Sequence, residues 1–345
     1  YAITESHEPG STFKLVDLIA VLDDKKADTS TVYDSKGGRI QYYGRSVKDS
    51  NGKGYGKISL ARGFELSSNT ILVQSVYDSY KSNPKQFVDR INSYGLNKPL
   101  GLPIKGEGIP VIPQPGTNRW SGVALPWMAF GYGLSVTPLQ TLTLYNAVAN
   151  DGVMVKPIFV SEIKEWNKTI KKFDTQVINP KICSQETLDK VHAVLENVVK
   201  KGTGSKLYSK DFSMAGKTGT AQVNYKDKSK LYYASSFVGY FPADEPKYSC
   251  IVVVHKPNVA AGYYGADVAG PVFKRIAQKI FTDSPSTNHV KNIDAKVVSQ
   301  EKKYSEYYKK VEKEERIIPN VKGMDGMDAV ALLENLGLKV KVIGV

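Results

Sequence analysis

Residues 11–22 leave the chain the fewest options. Apolar side chains stand at 15, 18, 19 and 22, and again at 13, 16 and 20, so nearly the whole circumference of a helix here is hydrophobic. Such a helix has to be covered on every side, and the rest of the fold must be built around it. Two of the polar residues on this segment matter for chemistry. Ser11 begins it, directly after the turn Glu8-Pro9-Gly10, and Lys14 lies one turn on, on the same face. A lysine on a buried helix is cut off from bulk water. Desolvation disfavours its charged form, and a neutral amine near a serine hydroxyl can act as the base that an otherwise inert hydroxyl needs. The helix N-terminus adds a backbone N–H and a positive dipole end where an oxyanion would develop.

The other elements define the fold class. Residues 58–66, 70–77, 84–95 and 184–201 read as helices, and a further helix runs from 138 through 149. Stretches 23–57 and 99–120 are polar or rich in Pro and Gly and read as surface, with short strands near 153–165. Three strands follow at 213–223, 233–241 and 248–255, joined by polar or Asp/Pro turns that suit antiparallel neighbours. Pro271 opens a last helix over 272–281. Helices, antiparallel strands and a closing helix make an α+β domain: a sheet covered by helices. Composition shifts after Asp283. Residues 284–316 are charged and poor in aliphatics, a linker. Beyond it, 328–336 reads as an amphipathic helix and 338–343 alternates like a strand.

Three short patterns carry chemistry. Ser-x-x-Lys alone says little, since it recurs at Ser50, Ser82, Ser161 and Ser299, where a surface serine near a lysine suffices. Ser11-x-x-Lys14 differs by its buried helix. Ser67-Ser68-Asn69 interrupts two helices. Capping explains it blandly; the functional reading makes Ser67 a proton shuttle and Asn69 an amide that orients substrate. Ser286-Thr287-Asn288 has the same form. Lys217-Thr218-Gly219-Thr220 makes a poor core strand but a plausible strand edge that grips an anion. There Lys217 and the hydroxyls of Thr218 and Thr220 would clamp a carboxylate, and Gly219 would leave room for a substrate backbone. The bland alternative is a solvated lysine on an edge strand. The four histidines are scattered and the two cysteines, Cys183 and Cys250, fit neither a zinc site nor a disulfide framework, so no metal and no cofactor are expected. The net charge of +13 favours an acidic partner: nucleic acid, anionic lipid or a carboxylate-bearing polymer. No basic run interleaved with aromatics occurs in the first 280 residues, which argues against nucleic acid.

Taken together, Ser-x-x-Lys, Ser-x-Asn and Lys-Thr-Gly in this order resemble the motif set of β-lactamases and penicillin-binding proteins. Glu8-Pro9-Gly10-Ser11-Thr12-Phe13-Lys14, Ser67-Ser68-Asn69, residues 131–140, Lys217-Thr218-Gly219-Thr220-Ala221-Gln222 and residues 233–242 are similar to class B penicillin-binding proteins, especially their cell-division branch. The likeness covers residues 1–282. Residues 317–345 resemble the first half of a PASTA domain, with its Pro-Asn-Val-x-Gly opening and Leu-Gly-Leu-x-Val end.

The resemblance implies a penicillin-binding transpeptidase (serine β-lactamase-like) fold, with an antiparallel sheet flanked by helices and a helical subdomain. It implies peptidoglycan D,D-transpeptidation in septal wall synthesis through a Ser11 acyl-enzyme formed at a D-Ala-D-Ala terminus. Lys14 would be the base and Ser67 the proton donor to the leaving D-Ala. The N–H groups of Ser11 and Thr220 would form the oxyanion hole, with Lys217, Thr218 and Thr220 at the terminal carboxylate. The implied partners are stem peptides, the lipid-linked precursor polymer, β-lactam antibiotics, a membrane glycan polymerase and divisome proteins. The implied location is the bacterial inner membrane, with catalysis on the periplasmic side. Members of that family start with an anchor, a pedestal and the first sheet strands, whereas ten residues precede Ser11 here. The expectation is therefore an N-terminally truncated transpeptidase domain at 1–283, a linker at 284–316 and a partial PASTA-like domain at 317–345. The competing readings are a D,D-carboxypeptidase or serine β-lactamase on the same fold, and a non-catalytic cell-wall-binding divisome scaffold. No Glu-x-x-Leu-Asn sequence of the class A β-lactamase kind occurs.

Overall fold

The computed structural model describes residues 1–225, 227, 229–283, 320–324, 326–335 and 337–343, in two compact units, Tyr1–Ser284 and Pro285–Val345. In the first unit a three-stranded antiparallel sheet is built from β9 (Ala215–Val223), β10 (Tyr232–Phe241) and β11 (Tyr248–His255), in the order β11-β10-β9. Val238 pairs with Lys217 on one side and Ile251 on the other. The two-residue period of β10 sorts its side chains onto two faces. Phe237 and Phe241 pack with Phe273, Ala269 and Ala277 of the closing helix α8 (Gly265–Asp283). Val238 and Tyr240 join the larger core with α1 (Lys14–Asp23), α3 (Asn69–Tyr80), α6 (Pro138–Ala149) and α7 (Gln185–Lys201). The sheet thus has a helical layer on each face, and the α+β expectation is met.

Within the larger core, α1 follows a 3-10 turn (Gly10–Phe13) and is buried all round, as its sequence requires: Leu15, Val16, Leu18, Ile19, Ala20 and Val21 are all inaccessible. Lys14 and Asp17 are equally inaccessible. Around it lie α2 (Leu60–Glu65), α3, α4 (Pro84–Ser93), α5 (Ala124–Met128), α6 and α7. Serines and threonines start several of these helices. Ser59, Ser68 and Ser184 accept N–H bonds from Arg62, Ile71 and Thr187, and Thr137 forms a capping box with Gln140.

Several expectations need correction. Residues 23–57, read as surface, also hold short strands. They form β1 (Val32–Asp34), which pairs with β4 (Lys57–Ser59), and the hairpin β2 (Arg39–Tyr42) with β3 (Arg45–Lys48). These strands are only three or four residues long, too short for an alternation to stand out in sequence. Strands β5 (Met154–Val155), β6 (Glu162–Glu165), β7 (Lys168–Lys172) and β8 (Val177–Asn179) extend past the expected 153–165. Pro271 does not open α8 but lies inside it. Its missing N–H costs one bond, while the preceding turn is held by Asp267 and Val268 N–H to the Tyr264 carbonyl and by Gly265 N–H to Thr220 Oγ1. In the second unit, α9 (Gly326–Asn335) forms, but 338–343 is not a strand: Leu338, Val342 and Ile343 are exposed and no described strand pairs with them. The linker 284–316 lies outside the described residues.

Candidate active site

The site is assembled where the 3-10 turn, the residues between α2 and α3, and strand β9 meet. Gly10 adopts φ +56° and donates its N–H to Gly131 O at 3.1 Å. Gly131 adopts φ +81°, and a Cβ there would lie 2.0 Å from Gly10 O. Two backbones cross at a distance only glycine allows. Thr12 Oγ1 donates to Pro9 O at 2.9 Å, and Tyr145 OH donates to Thr12 O at 2.8 Å. The turn carrying Ser11 is thereby held from two sides. Ser11 lines a cavity of about 510 Å³ together with Ser67, Asn69, Thr203, Thr218 and Thr220.

Between α2 and α3 the bland and the functional readings divide by residue. Ser68 does the capping. Ser67 takes φ +56°, and Asn69 opens α3. Lys14 Nζ donates to Ser67 O at 2.8 Å, to Ser67 Oγ at 3.3 Å and to Asn69 Oδ1 at 2.7 Å. Asn69 Nδ2 donates to Lys48 O at 2.7 Å. Both ends of the amide are used within the protein, so Asn69 holds the amine as well as facing the cavity. Burial pushes the Lys14 amine down to about 7, against Asp49 and Asp17, which favour its charged form. Among the described residues no hydrogen bond joins Lys14 to the Ser11 hydroxyl. Such bonds are often long before substrate arrives and tighten on binding.

Strand β9 is the sheet edge, as expected, but Lys217 is not at the surface. It is fully buried, its Nζ donates to Thr218 O at 3.2 Å, and it lies 5.6 Å from the centre of the Phe64 ring. Burial, reinforced by the neighbouring Lys14, holds its amine well below the usual lysine range. The bland alternative of a solvated edge lysine is excluded, and the strand residues that line the cavity are Thr218, Thr220 and Gln222, with Lys217 not among them. Thr218 Oγ1 is 2.7 Å from Thr203 Oγ1, and Thr220 Oγ1 accepts from Gly265 N–H at 3.1 Å. Gly219 also differs from expectation. A Cβ there would lie 2.3 Å from Ser236 Oγ and 2.8 Å from Thr12 Cγ2, so the space it leaves is filled by the protein and brings the nucleophile turn against the strand.

Sequence reasoning missed Thr203 and Asp49. Thr203 stands in Gly202-Thr203-Gly204, just past the end of α7. A hydroxyl between two glycines after a helix was the available signal. Asp49 had none, because its partners are far along the chain.

Residues 1–278 match the family model described as the penicillin binding protein transpeptidase domain. The chain belongs to this family. Its relatives include stage V sporulation protein D of Bacillus subtilis, 30% identical over 97% of this chain and 50% of that protein. Peptidoglycan D,D-transpeptidase FtsI of Escherichia coli K12 is 30% identical over 79% of this chain and 43% of that protein. Penicillin binding protein 3 of Mycobacterium tuberculosis, solved in complex with aztreonam, superposes with a TM-score of 0.69 at 27% identity, over 82% of this chain and 64% of that one. The chain spans about half the length of the curated relatives it matches. The penicillin-binding transpeptidase fold read from the motifs is therefore the fold of residues 1–278.

Proposed function

We propose that the chain carries the catalytic domain of a peptidoglycan D,D-transpeptidase. Ser11 Oγ attacks the carbonyl between the two terminal D-Ala residues of a donor stem peptide, and its proton passes to Lys14. The tetrahedral oxyanion is held by the N–H groups of Ser11 and Thr220. It collapses to the acyl-enzyme as the C–N bond breaks, and Ser67 delivers the proton to the departing D-Ala amine. Thr218 and Thr220 receive the terminal carboxylate, with Lys217 behind them and Gly219 setting the strand close to Ser11. An amine on a neighbouring stem then attacks the ester carbonyl, forms the cross-link and frees Ser11. A β-lactam acylates the same serine and stays, because its leaving group remains tethered.

The observation that carries this reading is the Lys14 amine, inaccessible to solvent, bonded to both Ser67 and Asn69, and lowered to about 7. Below that value the ammonium cannot accept a proton; above it the amine can. The acylation rate should therefore rise about tenfold between about pH 6 and about pH 8. Stopped-flow labelling with a fluorescent penicillin across this range measures it, and a flat profile would count against Lys14 as base. The serine is tested by mass spectrometry. Wild type should gain the penicillin mass stably on the peptide containing Ser11, and Ser11→Ala should gain none. Equal labelling of both removes Ser11 from the chemistry, and rapid loss of the adduct makes the protein a hydrolase.

The likeness to a peptidoglycan D,D-transpeptidase named FtsI supports the reading of a septal wall enzyme, and a periplasmic catalytic side, an inner-membrane location, a glycan polymerase and divisome partners are carried over from the family resemblance. Within this proposal residues 1–283 are the transpeptidase domain, 284–316 a linker and 317–345 a partial PASTA-like domain. Among the described residues no helix is long and apolar enough to cross a membrane.

A further inference from the structure

Asp49 directly follows β3 and is 4% exposed. Its carboxylate accepts hydrogen bonds from the Ser68 hydroxyl at 3.0 Å, the Thr70 N–H at 3.0 Å and the Thr70 hydroxyl at 2.8 Å. Ser68 Oγ in turn accepts the Ile71 N–H at 3.2 Å. The residue before Asp49 adds the bond from Asn69 Nδ2 to Lys48 O. Two consecutive residues therefore grip three consecutive residues of the 67–70 segment. That segment contains Ser67 at φ +56°, a backbone region that a residue with a side chain keeps only when its surroundings hold it there. What the held turn presents to Lys14 is the set Ser67 O, Ser67 Oγ and Asn69 Oδ1.

The charges around Lys14 come from three elements. Asp49 and Asp17 favour the ammonium, and Lys14 in turn disfavours the charged form of Lys217 on β9. Asp17 is one turn along α1 from Lys14, and both its carboxyl oxygens are buried with no hydrogen-bond partner among the described residues. Burial pushes its pKa well above the usual carboxylate range, while the Lys14 charge pulls it back. Asp49 has three donors of the kind an ionised carboxylate requires. Asp49 also acts on Tyr55, whose hydroxyl is pushed up by burial and by Asp49 and pulled back by Ser50 and Arg62.

We propose that Asp49 is a positioning residue for acylation, holding the 67–70 segment against Lys14 and placing a fixed negative charge near that amine. The proposal rests on the reading of Ser11 and Lys14 given above. Removing the charge alone makes the Lys14 ammonium less favoured, so its proton leaves at lower pH. Removing the hydrogen bonds as well lets the turn shift away from the amine.

The test is the acylation rate by fluorescent penicillin against pH for the full chain, its Asp49→Asn variant and its Asp49→Ala variant. In D49N the amide oxygen still accepts from Thr70 and Ser68, and the acid limb should move to lower pH by about one unit. In D49A the rate at about pH 8 should fall about 100-fold, as misplacement of a reacting group does. A D49N limb that stays in place, or a D49A rate equal to wild type, overturns the proposal. A purely structural role would lower the D49N rate without moving the limb. If thermal melts show that D49A does not fold, D49N decides alone. Direct NMR titration of the Lys14 amine in wild type and D49N is the second readout. If wild type takes no penicillin, the transpeptidase reading fails, and the Lys14 titration still supports Asp49 if it moves down and overturns it if it does not.

Discussion

Replacing Lys14 with methionine is expected to slow acylation of Ser11 at neutral pH by about 10² to 10⁴-fold, the usual worth of a positioned general base. Methionine keeps most of the length and apolar volume of the stem, so the packing around α1 survives. What it removes is the amine bonded to Ser67 O and Asn69 Oδ1. Leaving a buried acceptor unpaired costs about 1–3 kcal/mol. Against this, the variant no longer buries an amine whose charged form is strongly disfavoured by desolvation. The two effects oppose each other, so urea unfolding should show a small stability change beside a large loss of acylation. Lys14→Arg should be as inactive, because a guanidinium cannot give up its proton to become a base. Normal acylation in either variant at neutral pH would remove Lys14 from its assigned role. A loss of acylation matched by a loss of folded protein would make the residue structural instead.

The largest expected stability effect is at Gly131, which is not among the polar motifs. Gly131→Ala places a Cβ 2.0 Å from Gly10 O and 2.7 Å from Gly10 Cα, both of them backbone atoms that cannot swing aside as a side chain would. The position also has φ +81°, where an alanine is strained irrespective of space. Overpacking of this kind costs about 1–3 kcal/mol, and the left-handed conformation adds about 1–2 kcal/mol. A loss of about 2–5 kcal/mol is a large share of a domain's stability. The strain also falls on the turn that aims Ser11, since Gly10 N–H bonds to Gly131 O. Denaturant unfolding should show the stability loss, and penicillin labelling of the remaining folded protein should be slowed further. Gly44→Ala is the control: it has φ +75° but nothing within 4 Å of its Cβ, so it carries the conformational strain without the clash. If the two variants are equally stable, the crossing of Gly10 and Gly131 is looser than the structure shows.

The central helix was legible because burial on all sides writes itself into consecutive residues. No other arrangement of Leu15, Val16, Leu18, Ile19, Val21 and Leu22 keeps them from water. The motifs were legible for a related reason. Ser11 and Lys14, Ser67 and Asn69, and Lys217 and Thr218 are each close in sequence, so local helix or strand geometry already relates the members of each pair. The short strands β1 to β4 were not legible, because each has only three or four residues and β1 pairs with β4, more than twenty residues on.

By itself, then, the sequence determined that α1 is core, that β9, β10 and β11 form an antiparallel sheet under α8, and which polar residues could do chemistry. The tertiary structure alone decided how deep they lie and what faces them. Lys217 could have been a solvated edge lysine or a clamp at the cavity wall. Phe64, from an element about 150 residues earlier, makes it a buried amine behind the Thr218 and Thr220 hydroxyls. Gly219 could have left room for a ligand; Thr12 and Ser236 take that room. Asp49 could have been any polar loop residue until Ser68 and Thr70 closed over it. Local sequence can set which face of a helix or strand a side chain occupies. The solvation and charge state of that side chain are set by groups distant in sequence, and those come together only when the chain is folded.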